Sequence, residues 1–258
     1  MELKNICIEI DECIGIVTIN RPEVRNALDW QTVRELAEVI NSVEQNKKIK
    51  VVIFTGAGEK AFVAGADVAA LKERTVLETY LNENQAILNQ LAAMKKVTIA
   101  AINGVALGGG CELALACDLR IASDNVKLGQ PELTLGILPG AGGTQRLSRL
   151  VGLGKAKELI FTGEIIDASE ALRIGLVNKV VSKGEALQAA KEMAHKILLK
   201  GPTAVCFAKE VINLGINTDL NTGLYIERLA QTVLFSTEDR YEGLSAFLEK
   251  RSPDFKGR

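Results

Sequence analysis

Hydrophobic and polar positions alternate near the start of the chain and then take up helical spacing. Ile6-Cys-Ile-Glu-Ile10 and Gly15-Ile-Val-Thr-Ile-Asn20 flank Asp11-Glu12, a pattern that predicts a β-hairpin. Arg21-Pro22 ends the second strand, because proline has no N–H to give to a ladder. Asp29 can cap a helix marked by Val33, Leu36, Ile40 and Val43, which closes in the polar run Glu44 to Lys48. Val51-Val-Ile-Phe54 reads as a short buried strand running into the loop Thr55-Gly-Ala-Gly58. Leu77, Leu81, Leu88 and Leu91 mark a second long helix, and Val97-Thr-Ile-Ala-Ala-Ile102 a second buried strand. Leu119-Arg-Ile-Ala122 and Leu176-Val-Asn-Lys-Val-Val181 add strands, each behind a helical segment. This order predicts an α/β fold of repeated strand and helix units rather than a sandwich.

From Thr203 the pattern is helix only, with Val205, Ala208 and Ile212, then Leu220, Leu224, Arg228 and Val233, then Tyr241, Leu244 and Leu248. A domain change is therefore expected near Gly201-Pro202, dividing a core over 1–200 from a helical region over 201–258. Those helices carry more apolar positions than a thin appendage can bury, so they are expected to pack on the core or on a second copy, with a homo-oligomer preferred.

Composition narrows the chemistry. The chain has 258 residues, 47% of them apolar, and only five prolines, enough to bury a large core. The net charge of −1 and the dispersed Lys and Arg residues argue against nucleic acid as a partner. Cys7, Cys13, Cys111, Cys117 and Cys206 are odd in number and lack metal spacing, which predicts reduced thiols and no metal site. The N-terminus, Met1 to Ile10, begins directly with alternation rather than a leader, and no apolar run approaches the roughly 20 residues of a membrane span. A cytoplasmic protein without membrane association is expected.

Two glycine-rich turns carry the candidate chemistry. In Phe62-Val-Ala-Gly-Ala-Asp-Val-Ala69, Gly65 frees the backbone before a helix start, so that the amide of Ala66 can point into a cleft with Asp67 at the helix N-terminus. In Asn103-Gly-Val-Ala-Leu-Gly-Gly-Gly-Cys-Glu112, Gly109 can supply a second amide. Two N–H groups aimed at one point make an oxyanion hole. Glu112 adjoins the second turn, and Glu132 follows in Gly129-Gln-Pro-Glu132. Each turn alone is commonly an ordinary strand-to-helix connection. Together with two glutamates, and with no G-x-S-x-G, no P-loop and no dinucleotide fingerprint, they point to acid–base catalysis. Gly152-Leu-Gly-Lys155 lacks the Ser or Thr of a phosphate loop and reads as a helix cap. His195, on a predicted helix far from both turns, reads as structural, and Cys111 as a packing residue.

Ala64-Gly-Ala-Asp67, Asn103 to Glu112 and Gly129-Gln-Pro-Glu-Leu-Thr-Leu-Gly-Ile-Leu-Pro-Gly-Ala-Gly-Gly-Thr144 resemble the motifs of the enoyl-CoA hydratase (crotonase) family. Ile19-Asn-Arg-Pro22, Asn26-Ala-Leu28, Phe161-Thr-Gly163, Gly175-Leu-Val177 and Ala246-Phe-Leu-Glu-Lys-Arg251 extend the likeness from end to end, in particular to its bacterial short-chain hydratases, also called 3-hydroxybutyryl-CoA dehydratases. The resemblance implies a spiral of strand-strand-helix units with a C-terminal helical trimerisation region, and a trimer or dimer of trimers. It implies that Ala66 and Gly109 hold a thioester oxygen and that Glu112 and Glu132 are catalytic, Glu112 chiefly as base toward water and Glu132 chiefly as proton donor. Around the substrate it implies contacts from Ala64, Ala66, Asp67, Val68, Ala69 and Gly109, an acyl wall including Leu28, and phosphate contacts from Arg25, Lys60 and a neighbouring subunit's Lys250. No cofactor is implied, coenzyme A being part of the substrate. The activity it implies is reversible hydration of short 2-enoyl-CoA esters. A double-bond isomerase, which can work with one acid–base residue, and an RNA-binding member are the alternatives.

Overall fold

In the computed structural model, which describes residues 3–81 and 83–258, the alternating runs pair as an antiparallel hairpin, β1 (Ile6–Asp11) with β2 (Ile14–Ile19), turning at Glu12 with φ 53°. Met1 and Glu2, at the head of the alternation, and Asn82, within the second predicted helix, lie outside the described residues. Asp29 caps α1 (Trp30–Gln45) by accepting the Thr32 amide at 2.8 Å. The buried face of that helix, Val33, Leu36, Val39, Ile40 and Val43, has the spacing read from the sequence. On the same helix the buried Glu35 carboxylate accepts the amides of Lys4, Asn5 and Ile6 and so fastens the first strand.

Next come β3 (Val51–Gly56), β4 (Ala61–Val63), α2 (Val68–Lys72), α3 (Val76–Leu81), α4 (Glu83–Ala92), β5 (Val97–Ile102), β6 (Val105–Leu107), α5 (Gly109–Ala116), β7 (Leu119–Ser123) and β8 (Lys127–Gly129). After a 3-10 turn over Pro131–Leu135 follow α6 (Gly143–Val151), α7 (Leu153–Thr162), β9 (Ile166–Asp167), α8 (Ala168–Arg173), β10 (Lys179–Val181) and α9 (Ala186–Leu198). The strands form a six-stranded sheet in the order β1-β2-β3-β5-β7-β10 and a four-stranded sheet in the order β4-β6-β8-β9. β3 and β5 are buried at every position, as their unbroken apolar runs require.

Leu88 and Leu91 are buried, but Leu77 and Leu81 are 66% and 63% exposed, so the four leucines do not share one buried stripe. The strand expected over Leu176–Val181 is paired only from Lys179, since Leu176 and Val177 are bonded back to Ala171 in the turn behind α8. The strands of the smaller sheet had no counterpart in the residue-by-residue reading, because runs of two or three residues show no period.

The chain divides into two compact units, Met1–Met94 with Thr98–Glu192, and Lys95–Val97 with Met193–Arg258. The pattern of apolar positions placed a change at Gly201-Pro202. The second unit holds the end of α9 together with α10 (Pro202–Gly215), α11 (Leu220–Leu234) and α12 (Glu238–Glu249). A Cβ on Gly223 would lie 3.6 Å from the Cα of Gly215, so glycines let α10 and α11 approach backbone to backbone. The buried carboxylate of Asp239 on α12 accepts the amides of Lys256 and Gly257 and holds the C-terminal tail. Among the described residues, no helix is long and apolar enough to cross a membrane.

Candidate active site

Short parallel strand pairings bring the two glycine turns and the two glutamates into one region of the first unit. β4 pairs with β6 and β6 with β8, so the turn after β4 and the turn after β6 emerge side by side. The register of Leu107 with Gly129 continues in a bond from the Gly108 amide to the Gly129 carbonyl, 3.0 Å. This bond sets Glu132, three residues beyond Gly129, beside the start of α5.

Backbone geometry frees both candidate amides. Leu28 bridges to Ala66 by donating to the Gly65 carbonyl and accepting from the Asp67 amide, both 2.9 Å. In such a parallel bridge the amide of Ala66 faces the other way. Gly65 makes the turn at φ 124°, and Asp67 caps α2 by accepting from Ala69 at 2.9 Å. Gly109 is the first residue of α5, where an amide has no partner inside the helix. A Cβ on Gly109 would lie 3.7 Å from the Ala66 nitrogen and equally far from Leu28 Cδ1, so the two amides are neighbours. The remaining glycines of the triplet answer steric needs. Gly108 has φ 50°, and a Cβ there would lie 3.1 Å from Glu132 Oε1; one on Gly110 would lie 1.9 Å from the Val63 carbonyl oxygen. The helix of Glu112 thus rests directly on the backbone of β4.

Glu112 is buried, and its Oε1 accepts the amides of Ala141 at 2.7 Å and Gly143 at 2.8 Å. Arg146 supports that loop by donating to the Ala141 carbonyl, 2.8 Å, and to Asn89 Oδ1, 2.7 Å. Burial pushes the Glu112 carboxyl above the usual range, while the two amides and the Arg146 charge oppose the rise. Glu132 is raised to about 7, first by burial and then by the negative charge of Glu112. At neutral pH the second carboxyl is therefore poised to hold or give a proton.

Gln130, which the sequence does not single out as a site residue, is fully buried. With its amide turned to satisfy both groups, its nitrogen donates to Glu132 at 2.9 and 3.2 Å. The same amide bonds to the thiol of Cys111, which burial pushes up to about 12, so that side chain is a packing residue rather than a nucleophile. A Cβ on Gly143 would lie 3.0 Å from both the Gln130 amide and Glu112 Oε1, which links the surroundings of the two glutamates. Its place just before Pro131-Glu132 was the available signal.

The other predicted site residues fall into separate groups. Leu28, Ala66 and Asp67 line a small cavity, joined there by Ala70 and Leu71, whereas Val68 and Ala69 lie exposed on the outer side of α2. Ala64 donates to the Arg25 carbonyl at 3.1 Å. Arg25 and Lys60 line a second, open cavity of about 320 Å³. Asn103, from the same motif, braces that region by donating to the Gly56 and Gly58 carbonyls at 2.8 and 2.7 Å. Lys250 ends α12 in the other compact unit. His195 is exposed on α9, and Gly152 caps α7 as expected.

A family model described as enoyl-CoA hydratase/isomerase matches residues 9–258. The chain belongs to the enoyl-CoA hydratase/isomerase family. Among its relatives in that family, a short-chain-enoyl-CoA hydratase of Clostridium acetobutylicum is 50% identical over 100% of both chains. A crotonyl-CoA hydratase of Syntrophomonas wolfei is 47% identical over 99% of both. The crystal structure of an enoyl-CoA hydratase from Bacillus anthracis superposes with a TM-score of 0.95 at 44% identity, covering 99% of this chain and 100% of that one. The hydratase/isomerase fold implied by the sequence motifs is thus the fold of the protein.

Proposed function

We propose that the chain catalyses the reversible hydration of short-chain 2-enoyl-CoA esters to 3-hydroxyacyl-CoA. The observation that carries this reading is the pair of carboxyl groups, Glu112 on the helix that Gly109 opens and fixed by two backbone amides, and Glu132 beside Gly108 and raised to about 7. The hydratase names of its 50% and 47% identical relatives support it. The amides of Ala66 and Gly109 hold the thioester oxygen and stabilise the charge that grows on it. Glu112 takes a proton from the attacking water as its oxygen bonds to the beta carbon, and Glu132 delivers a proton to the alpha carbon. Coenzyme A lies toward Ala64, Arg25 and Lys60, whose cations suit its phosphates. An isomerase, which only moves a proton between carbons, has no use for a second carboxylate directed at water. Crotonyl-CoA incubated with the protein should gain the mass of one water; conversion of a 3-enoyl-CoA to the 2-enoyl isomer without hydration would defeat the proposal.

The mechanism fixes a pH dependence. Hydration passes one proton through the carboxyl pair and returns it, so the active form carries a single proton between Glu112 and Glu132. A group raised to about 7 is protonated below that pH and loses its proton as pH rises through it. The kcat/KM for hydration is therefore expected to fall about tenfold per pH unit above roughly pH 7. Dehydration must follow the same curve, since the net reaction takes up no proton. A flat profile between about pH 6 and about pH 9 would contradict the assignment.

We further infer a homo-oligomer, a trimer or dimer of trimers, in a soluble cytoplasmic setting. Its support is the set of apolar side chains left exposed on α10 to α12, Ile212 at 69%, Phe247 at 83% and Leu248 at 80% among them. Light scattering after gel filtration should give a mass at least three times the chain's 27.8 kDa, and a monomer would refute it.

A further inference from the structure

The cavity beside Ala66 is lined in part by residues that the catalytic mechanism does not use. Leu28, Val33, Ala70 and Leu71 give it apolar lining, and it shares Leu28 and Ala66 with the paired amides. Trp30 and Arg74 line it as well. The Arg74 guanidinium lies over the indole with its carbon 5.1 Å from the ring centroid, a cation–π stack. Both partners are held from behind. Trp30 opens α1 next to Asp29, which pairs with Arg21 at 2.9 Å, and Arg74 donates its Nη2 to the Glu78 carbonyl at 3.1 Å. The space among these residues is about 20 Å³, room for about one water-sized group. Two polar atoms among the walls, Arg74 Nε and Asn84 Oδ1, are buried without a hydrogen-bond partner.

We propose that the Arg74–Trp30 stack is the end wall of the acyl pocket and sets the chain-length limit of the enzyme. The proposal rests on the hydratase reading above. A thioester oxygen bound by the amides of Ala66 and Gly109 leaves the acyl tail to run past Leu28, and the space there accepts little beyond the terminal methyl of a four-carbon chain. A longer tail meets a cation and an amide oxygen that it cannot satisfy, so it must displace the stack or turn out to solvent. Opening the wall would let the added methylenes be buried, each worth up to roughly fourfold in binding.

The test compares kcat/KM for eight-carbon and four-carbon 2-enoyl-CoA in wild type, Arg74→Ala, Trp30→Ala and the double variant. Calorimetric binding of octanoyl-CoA and butyryl-CoA is measured on the same proteins. Either single substitution should raise the eight-to-four ratio at least tenfold in both measurements. The double variant should add little more, because each change removes the same wall. Arg74→Lys, which keeps a cation over the indole, should retain the wild-type preference. Ratios within about twofold of wild type in Arg74→Ala would overturn the wall. Wild-type protein that binds the acyl-CoA esters but hydrates none would defeat the hydratase reading instead, and the binding ratio would still decide the wall.

Discussion

Replacing Gly109 by proline is expected to lower kcat for crotonyl-CoA hydration by about 10²–10³-fold or more while the helix persists. The substitution removes one backbone N–H and little else that the helix needs. Gly109 is the first residue of α5, a position where proline's fixed φ is suited to a helix and where the lost amide had no intrahelical partner. The residue before it is a glycine at φ 50°, ψ −122°, with no Cβ to meet the proline ring. What disappears is one of two donors to the thioester oxygen, a loss that typically costs about 10²–10³-fold in kcat, and because the proline Cδ takes the place of the lost hydrogen that range is a lower bound. Circular dichroism checks the helix, and steady-state kinetics the chemistry. Undiminished turnover in a folded Gly109→Pro protein would mean that the Ala66–Gly109 pair is not the oxyanion hole.

Glu112→Gln and Glu132→Gln are each expected to reduce kcat/KM by about 10²–10⁴-fold. The two glutamines differ little in volume from the glutamates, so the loss reports chemistry more than packing. Glu112→Gln leaves an acceptor oxygen for the Ala141 and Gly143 amides, which keeps the loop in place while the base is lost. Glu132→Gln removes the proton that this carboxyl holds near neutrality. The residues act on one water and one proton, so the double variant should fall far short of the product of the single losses. Two fully multiplicative losses would mean that the carboxyls serve separate steps.

The sequence carried the site further than it carried the architecture. The hairpin, α1 and the strands β3, β5 and β7 were legible because each spans at least five residues with a clear period or an unbroken apolar run. The smaller sheet was not, since Ala61–Val63, Val105–Leu107 and Lys127–Gly129 are too short to show one. Yet those strands bring the two turns together. Gly65 and the Gly108–Gly110 triplet marked the two turns in the sequence, and the fold puts Ala66 N 3.7 Å from the Cβ position of Gly109. Gln130 was missed because its role depends on facing Glu132 and Cys111 at once, a relation fixed by β8 and the proline turn rather than by spacing. The Arg74–Trp30 stack joins residues 44 positions apart, with nothing in the local pattern of either to signal it.

The most direct measurement is the loss of the conjugated thioester absorbance of crotonyl-CoA, followed in parallel for wild type, Glu112→Gln and Glu132→Gln. Rapid loss with the wild type, slowed at least about a hundredfold in both variants, is the result expected of a paired-carboxylate hydratase. Equal consumption by all three proteins would contradict it.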